Sequence, residues 1–209
     1  GAGSLSHSSG IWEENSVLSF DVSALSGLYS SIDSITLRLT ISKIDDNNGN
    51  TTYVDITNNI YAVSAANRDW DEGAATWNNK AAATPWAGSA GLATAGTDYV
   101  NTLLASHTFL SVSAPTNGTT IDFGFGGDLT GLIDGWLVDN VDNSQSNPGL
   151  LISDPSFRTD AKLRTVYHST EATNSDFHPE LIVTYTPVPE PSSMLLLGLG
   201  GLALLRRRR

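Results

Sequence analysis

Aromatic side chains near the middle of the chain could bind carbohydrate. A sugar binds when its C–H face stacks on an aromatic ring and its hydroxyls bond to nearby amides and carboxylates. The candidates are three tryptophans and one tyrosine, Trp70, Trp77, Trp86 and Tyr99. Trp86 is the best platform, because it lies in a Gly- and Ala-rich stretch, although core packing is an alternative. Core packing explains Trp70 and Trp77 better, since tryptophan usually buries most of its surface.

A turn rich in acids and amides offers oxygen ligands. Residues 45–50 read Asp-Asp-Asn-Asn-Gly-Asn, and oxygens on a flexible turn are what calcium requires. The candidate ligands of a structural calcium ion are Asp45, Asp46, Asn47 and Asn48. No Glu stands at the twelfth position of the loop, as a helix-loop-helix calcium site would need. A solvated hairpin turn is therefore the alternative.

No set of residues typical of an active site is recognisable. The histidines lack metal-ligand spacing such as His-Glu-x-x-His, and no Gly-x-Ser-x-Gly elbow marks a nucleophile. Cysteine is absent, which excludes disulfides and thiolate metal sites. Carboxylate pairs for glycoside cleavage stay open, and Tyr167, His168 and Glu171 are capable side chains close in sequence. We predict a non-catalytic protein, with a polysaccharide-degrading enzyme as an alternative.

Strands are the elements that must position these side chains. Apolar and polar residues alternate from Ile35 to Ile41, as in a strand that is buried on one face. Residues 78–105 are rich in Ala, Gly and Thr and predict a long surface excursion. Short apolar runs recur at 17–22, 53–63, 109–112, 119–125, 150–152, 164–167 and 181–185.

A single helix is expected among these strands. Asp128 could cap its first turn, and four apolar residues then recur at helical spacing: Leu129, Leu132, Ile133 and Trp136. We therefore predict that residues 1–186 form an all-β domain, an antiparallel two-sheet sandwich or jelly roll with one short helix. A C-terminal hydrophobic helix would follow it.

The charge balance restricts the partners of this domain. The chain carries a net charge of −11; residues 187–209 contain four Arg and one Glu, which is +3, so residues 1–186 carry −14. Such an acidic surface repels phosphate backbones and anionic lipid headgroups. We predict no nucleic-acid partner.

The C-terminal 23 residues have the composition of a transient membrane segment. Residues 194–205 are apolar, and as a helix they would extend about 18 Å, which is short of the roughly 30 Å bilayer core. Four arginines follow, Arg206, Arg207, Arg208 and Arg209, and basic clusters stay on the cytoplasmic side. The domain would then lie outside the cytoplasm. A core helix of a soluble domain is the alternative.

The tail resembles a known sorting signal. Pro189, Glu190 and Pro191, followed by the short Leu/Gly run and the terminal arginines, are similar to the PEP-CTERM signal of Gram-negative bacteria. The resemblance implies cleavage near this tripeptide by an exosortase-type membrane protease. It also implies a precursor held in the inner membrane and delivery to the cell surface or extracellular matrix. An export signal is expected to precede Gly1.

The domain shows a second resemblance, carried by short motifs along its length. Residues 20–22 (Phe-Asp-Val), 70–78 (Trp-Asp-Glu-Gly-Ala-Ala-Thr-Trp-Asn), 128–130 (Asp-Leu-Thr), 168–171 (His-Ser-Thr-Glu) and 178–181 (His-Pro-Glu-Leu) are similar to the DNRLRE-type β-sandwich family. Members of that family resemble carbohydrate-binding modules. The resemblance implies a domain that accompanies secreted enzymes and surface proteins. Together with the acidic surface, the aromatic-bearing loop and the lack of a catalytic motif, it leads us to predict a surface or exopolysaccharide-matrix protein with carbohydrate-binding character. A purely structural or adhesive biofilm-matrix protein is the alternative.

Overall fold

Antiparallel strands make up most of the described chain. The computed structural model describes residues 2–8, 12–46, 55–110, 115–138, 148–154 and 163–189. The strands and the helix, in chain order, are β1 Ala2–Ser8, β2 Trp12–Leu18, β3 Tyr29–Asp46, β4 Ile56–Val63, β5 Asn79–Ala81, β6 Thr84–Pro85, β7 Tyr99–Phe109, β8 Thr120–Gly124, α1 Leu129–Val138, β9 Leu150–Ser153, β10 Leu163–Tyr167 and β11 Glu180–Pro187. The predicted strands are confirmed in most places, but the run at 17–22 ends its strand at Leu18. The run at 109–112 contributes only Phe109 to a strand among the described residues, because β7 ends there.

The strands form two main sheets. The first has the order β1-β2-β9-β4-β7. The second is built around the long strand β3, which pairs with β11, β8 and β10. A two-stranded hairpin of β5 and β6 lies apart from both. All these pairings are antiparallel.

One hydrophobic core lies between the two sheets. The alternating side chains of β3 supply one side of it, and Ile35, Leu37 and Leu39 are almost completely buried. The facing residues come from the first sheet: Leu18, Ile60, Ala105, Leu150 and Ile152. The packing is consistent with an all-β sandwich, as the alternation predicts.

The predicted helix is confirmed together with its cap. The carboxylate oxygen Oδ1 of Asp128 accepts a hydrogen bond from the backbone N–H of Gly131 at 2.9 Å, which satisfies one of the donors at the start of α1. Ile133 and Trp136 are buried in the core between the sheets. Helix α1 therefore joins the sandwich core through the face that its spacing predicts.

A second core covers the outer face of the first sheet. Leu150, Leu151 and Ile152 are consecutive in β9, yet all three are buried, although successive side chains of a strand point to opposite faces. Leu151 packs with Trp86 and Leu92, which the segment between β4 and β7 contributes. The predicted surface excursion at 78–105 is therefore wrong. Its first part is folded onto the sheet and buries its own apolar side chains, and its last part, from Tyr99, belongs to strand β7 of the first sheet.

The predicted hydrophobic helix at 194–205 lies outside the described residues. Within the described ranges, no helix is long and apolar enough to cross a membrane. Strand β11 continues through Pro187, so regular structure extends to the first residue after the predicted domain end at 186.

Candidate functional site

A buried carboxylate organises the segment that covers the outer face. The side chain of Asp98 is fully buried. Its Oδ1 accepts hydrogen bonds from the backbone N–H of Gly88 at 2.8 Å and from Nδ2 of Asn67 at 3.1 Å. Its Oδ2 accepts from the backbone N–H groups of Ser89 and Thr94, both at 2.9 Å. The side chain of Asp98 thus holds several turns of the segment between β4 and β7 together through hydrogen bonds.

Hydrogen bonding determines the ionisation of Asp98. Burial alone would raise the pKa of the carboxyl group, but the donors from Thr94, Gly88, Asn67 and Ser89 outweigh it, so the pKa lies below its ordinary value of 3.8. The group is therefore a carboxylate at neutral pH. Both of its oxygens are occupied by donors, which makes it a structural anchor rather than a catalytic acid.

Sequence reasoning missed this anchor. Asp98 and Asn67 are separated by 31 positions, and neither lies in a recognisable motif. The available signal was Gly88, where a Cβ would lie 2.7 Å from Oδ2 of Asp98. A glycine in this stretch marks a place where a side chain approaches the backbone closely.

Two of the predicted stacking residues are core residues. Trp86 is 4% exposed and Trp70 is 3% exposed. The indole N–H of Trp86 donates to the carbonyl of Thr76 at 2.9 Å, and that of Trp70 donates to the carbonyl of Pro148 at 3.1 Å. An indole with this burial offers no ring face to a sugar. The prediction of Trp86 as the best platform is corrected accordingly.

Three half-buried aromatic rings lie at the rim of this second core. Trp77, Tyr61 and Tyr99 all pack against it without being enclosed. The ring centroids of Tyr61 and Tyr99 are 4.7 Å apart, and the ring planes are tilted by 46° to each other. The ring of Trp77 lies directly over Gly91, where a Cβ would overlap it. We call Trp77, Tyr61 and Tyr99 the aromatic rim.

The aromatic rim contains two of the four predicted stacking residues, Trp77 and Tyr99, and one residue that the sequence analysis missed, Tyr61. Tyr61 adjoins Ile60 in β4, and Ile60 points into the core between the sheets. Strand alternation therefore places Tyr61 on the outer face, a signal that the sequence contains. The rim has the chemistry of a stacking site, since each ring combines an apolar body with a polar group.

The predicted calcium ligands are only partly within the described residues. The backbones of Asp45 and Asp46 belong to the end of β3 and pair with Arg164 and Leu163 of β10. The strand thus continues two residues into the predicted turn. Asn47 and Asn48 lie outside the described residues. Among the residues that are described, no group of three or more His, Cys, Asp or Glu side chains could hold a metal ion, and calcium at 45–48 stays a prediction.

The side chains considered for catalysis have separate partners. The hydroxyl of Tyr167 donates to Oδ1 of Asn58 at 2.5 Å, and burial raises the pKa of this tyrosine. His168 bonds through Nε2 to Oδ1 of Asn117 at 3.0 Å, and its ring packs on that of Phe177, with the ring centroids 4.8 Å apart. Glu171 is exposed. Tyr167 and His168 thus bond to different partners, Asn58 and Asn117.

The end of β11 is held tightly to the domain. The hydroxyl of Thr186 donates to both carboxylate oxygens of Asp33, at 3.1 and 3.0 Å. The hydroxyl of Ser30 donates to the carbonyl of Thr186 at 3.2 Å. Just beyond β11, the backbone N–H of Val188 donates to the carbonyl of Leu28 at 3.0 Å. We call the contacts of Thr186 and Val188 the terminal latch.

The predicted processing residues follow the terminal latch at once. Pro189 is exposed and is the last described residue. The others lie outside the described residues: Glu190, Pro191, Arg206, Arg207, Arg208 and Arg209.

The described strands form antiparallel sheets consistent with an all-β sandwich, and the last strand ends at Pro187. Residues 187–209 match the PEP-CTERM protein-sorting motif. The motif indicates an exported protein that is sorted to the cell surface by exosortase, a membrane protease, from a precursor anchored at its C-terminus. The predicted resemblance of the tail is thereby confirmed. No curated protein matches the chain, and the motif match leaves residues 1–186 uncovered.

Proposed function

We propose that the protein is a non-catalytic surface or exopolysaccharide-matrix protein whose sandwich binds polysaccharide at the aromatic rim. The observation that carries the proposal is the position of Trp77, Tyr61 and Tyr99 around one buried cluster on the outer face of the first sheet. The proposal includes the jelly-roll and DNRLRE-type character of the domain. The sorting motif supports it by delivering the domain to the surface where polysaccharide is found.

Preorganisation supports a binding role for the aromatic rim. Trp77 lies in the segment that the buried Asp98 fastens, and the backbone carbonyl of Trp77 accepts from the N–H of Gly91 at 2.6 Å. The carbonyl of Gly91 in turn accepts from the amide of Asn15 in β2 at 2.6 Å. The backbone that carries the Trp77 ring is thus held in place before any ligand arrives, which reduces the entropic cost of binding.

The charge of the domain narrows the ligand class. Residues 1–186 carry −14, so an anionic polysaccharide would be repelled at low salt. The favoured ligand is a neutral polysaccharide, held by stacking and by hydrogen bonds to hydroxyls.

Affinity gel electrophoresis of the mature protein tests the proposal. Neutral and anionic polysaccharides are compared, each with and without calcium. Retardation by a neutral polysaccharide is expected, and the Trp77→Ala variant should weaken it about tenfold, which corresponds to about 1.4 kcal/mol. Phe177→Ala is the matched control, because Phe177 is a half-buried ring on the loop between β10 and β11. Absence of retardation under every condition would reject carbohydrate binding.

An adhesive role is the second candidate, favoured by the edge of the first sheet. Strand β7 ends the sheet order, and its first half exposes Val100 (47%) and Leu103 (46%). An exposed apolar edge strand is a template for pairing with another chain. Retention in the matrix after polysaccharide digestion, with release by a Val100→Lys variant, would favour this role over sugar binding.

A further inference from the structure

The sorting motif begins inside the folded domain. The matched residues start at Pro187, yet Pro187 is the last residue of β11 and is paired with Tyr29 of β3. Val188, the next residue, donates its N–H to Leu28. The first two residues of the motif are therefore structural residues of the sandwich. Among the described residues of the motif, only Pro189 lies outside these pairings.

Side-chain contacts reinforce the backbone pairing at this point. Asp33, which receives both bonds from Thr186, also accepts a bond from Ser31 at 3.2 Å. Tyr185 lies two residues before the motif, and its ring packs edge-on against that of Tyr29, with the ring centroids 6.4 Å apart. The contacts of Thr186 with Asp33 and with Ser30 join positions more than 150 residues apart in the sequence. The end of β11 is thus bound to β3.

A protease must open such a segment before it can cut it. Proteases act on backbone that is accessible, and cleavage within a paired strand follows the population of the opened state. Peptide bonds of β11 are paired with β3 through Pro187. Cleavage at any of these bonds therefore requires that β11 first open.

The short connection to the apolar run limits the approach of a membrane protease. The six peptide steps from Val188 to Met194 span at most about 22 Å. The terminal latch is therefore presented close to the bilayer whenever the apolar run is inserted. A membrane-bound enzyme meets the edge of a folded sheet as soon as it moves upstream of Pro189.

We propose that the terminal latch sets the upstream limit of sorting cleavage, so that the processed protein keeps every residue through Val188. The proposal rests on the sorting function, and it assigns the latch residues Thr186 and Asp33 a role in defining the product. Weakening the latch exposes β11 and allows cuts within it. Removal of one such hydrogen bond should raise the rate of cutting in β11 about three- to tenfold.

Intact-mass analysis of the processed protein tests the proposal. The full chain is expressed in a host that carries exosortase, and the wild type is compared with Thr186→Val. The wild-type C-terminus should fall at Val188 or later, and the variant should add products that end within residues 180–187. Thr184→Val is the matched control, because Thr184 is an exposed threonine two positions earlier in β11 whose hydroxyl has no hydrogen bond among the described residues.

Two results would overturn the proposal. One is a wild-type product that ends upstream of Val188, and the other is an identical product pattern for Thr186→Val and Thr184→Val. Absence of any exosortase-dependent product would instead contradict the sorting function. In that case digestion of the extracted precursor with proteinase K still tests the latch, which predicts a protected fragment that ends at or after Val188.

Discussion

Asn67 and Asp98 lie side by side in the second core, and the amide of Asn67 donates to both the backbone carbonyl and the carboxylate of Asp98, at 3.2 and 3.1 Å. The amide oxygen of Asn67 accepts from the backbone N–H of Ala87 at 2.8 Å. Through this pair, polar groups inside an apolar cover are hydrogen-bonded to each other and to the backbone. The aromatic rim depends on the same arrangement, since Trp77 lies in the fastened segment.

Replacement of Asp98 by Asn should destabilise the domain by about 2–3 kcal/mol. The new side chain has nearly the same shape but turns one acceptor into a donor, which would face backbone N–H groups. Urea denaturation measures the effect. Asp122→Asn is the control, because Asp122 is an exposed carboxylate paired with Arg38 at the surface, where such pairs contribute little. Equal destabilisation of the two variants would contradict the assigned role of Asp98.

The stabilisation by Asp98 should depend on pH below about 4. The pKa of Asp98 is lowered in the folded state from an ordinary value of 3.8. Below 3.8 the unfolded chain binds the proton first, so stability falls as the pH falls toward the folded-state pKa. The difference in melting temperature between wild type and Asp98→Asn should be constant from pH 7 to pH 5 and should shrink below pH 4. A difference that grows on acidification would contradict this sign.

Gly91→Ala should displace Trp77. Gly91 has a φ of +74° and lies under the Trp77 ring. Alanine therefore adds backbone strain and a steric clash, which together should lower the free energy of unfolding by about 2–4 kcal/mol. Gly96→Ala is a matched control, since Gly96 has a φ of +81° and no atom within 4 Å of a Cβ. It should cost only the backbone strain, about 1 kcal/mol. Denaturation curves and polysaccharide retardation should both rank Gly91→Ala as the more damaging change.

Calcium should raise the melting temperature if the turn at 45–48 binds it. At a calcium concentration a hundredfold above Kd, the melting temperature should rise by about 5–10 °C. Chelator should reverse the shift, and the double variant Asp45→Asn, Asp46→Asn should abolish it. Asp176→Asn, at an exposed position between β10 and β11, should leave it unchanged. Equal melting temperatures with calcium and with chelator would identify the turn as an ordinary hairpin.

Local signals in the sequence determined several features by themselves. The sorting tail is read in linear order, and the match at 187–209 confirms it. The alternation from Ile35 to Ile41 predicts the central strand, because a period of two allows one face to be buried. The cap at Asp128 predicts the start of α1, since its donor lies only three residues away.

Tertiary structure alone decided which aromatic rings are buried and where the domain ends. The indole of Trp70 finds its acceptor 78 residues away, and Thr186 finds Asp33 153 residues away. Composition made residues 78–105 look like a surface loop, because the few apolar side chains there have no local period. Their burial follows from the outer face of the first sheet, whose apolar residues need a cover that no local pattern specifies.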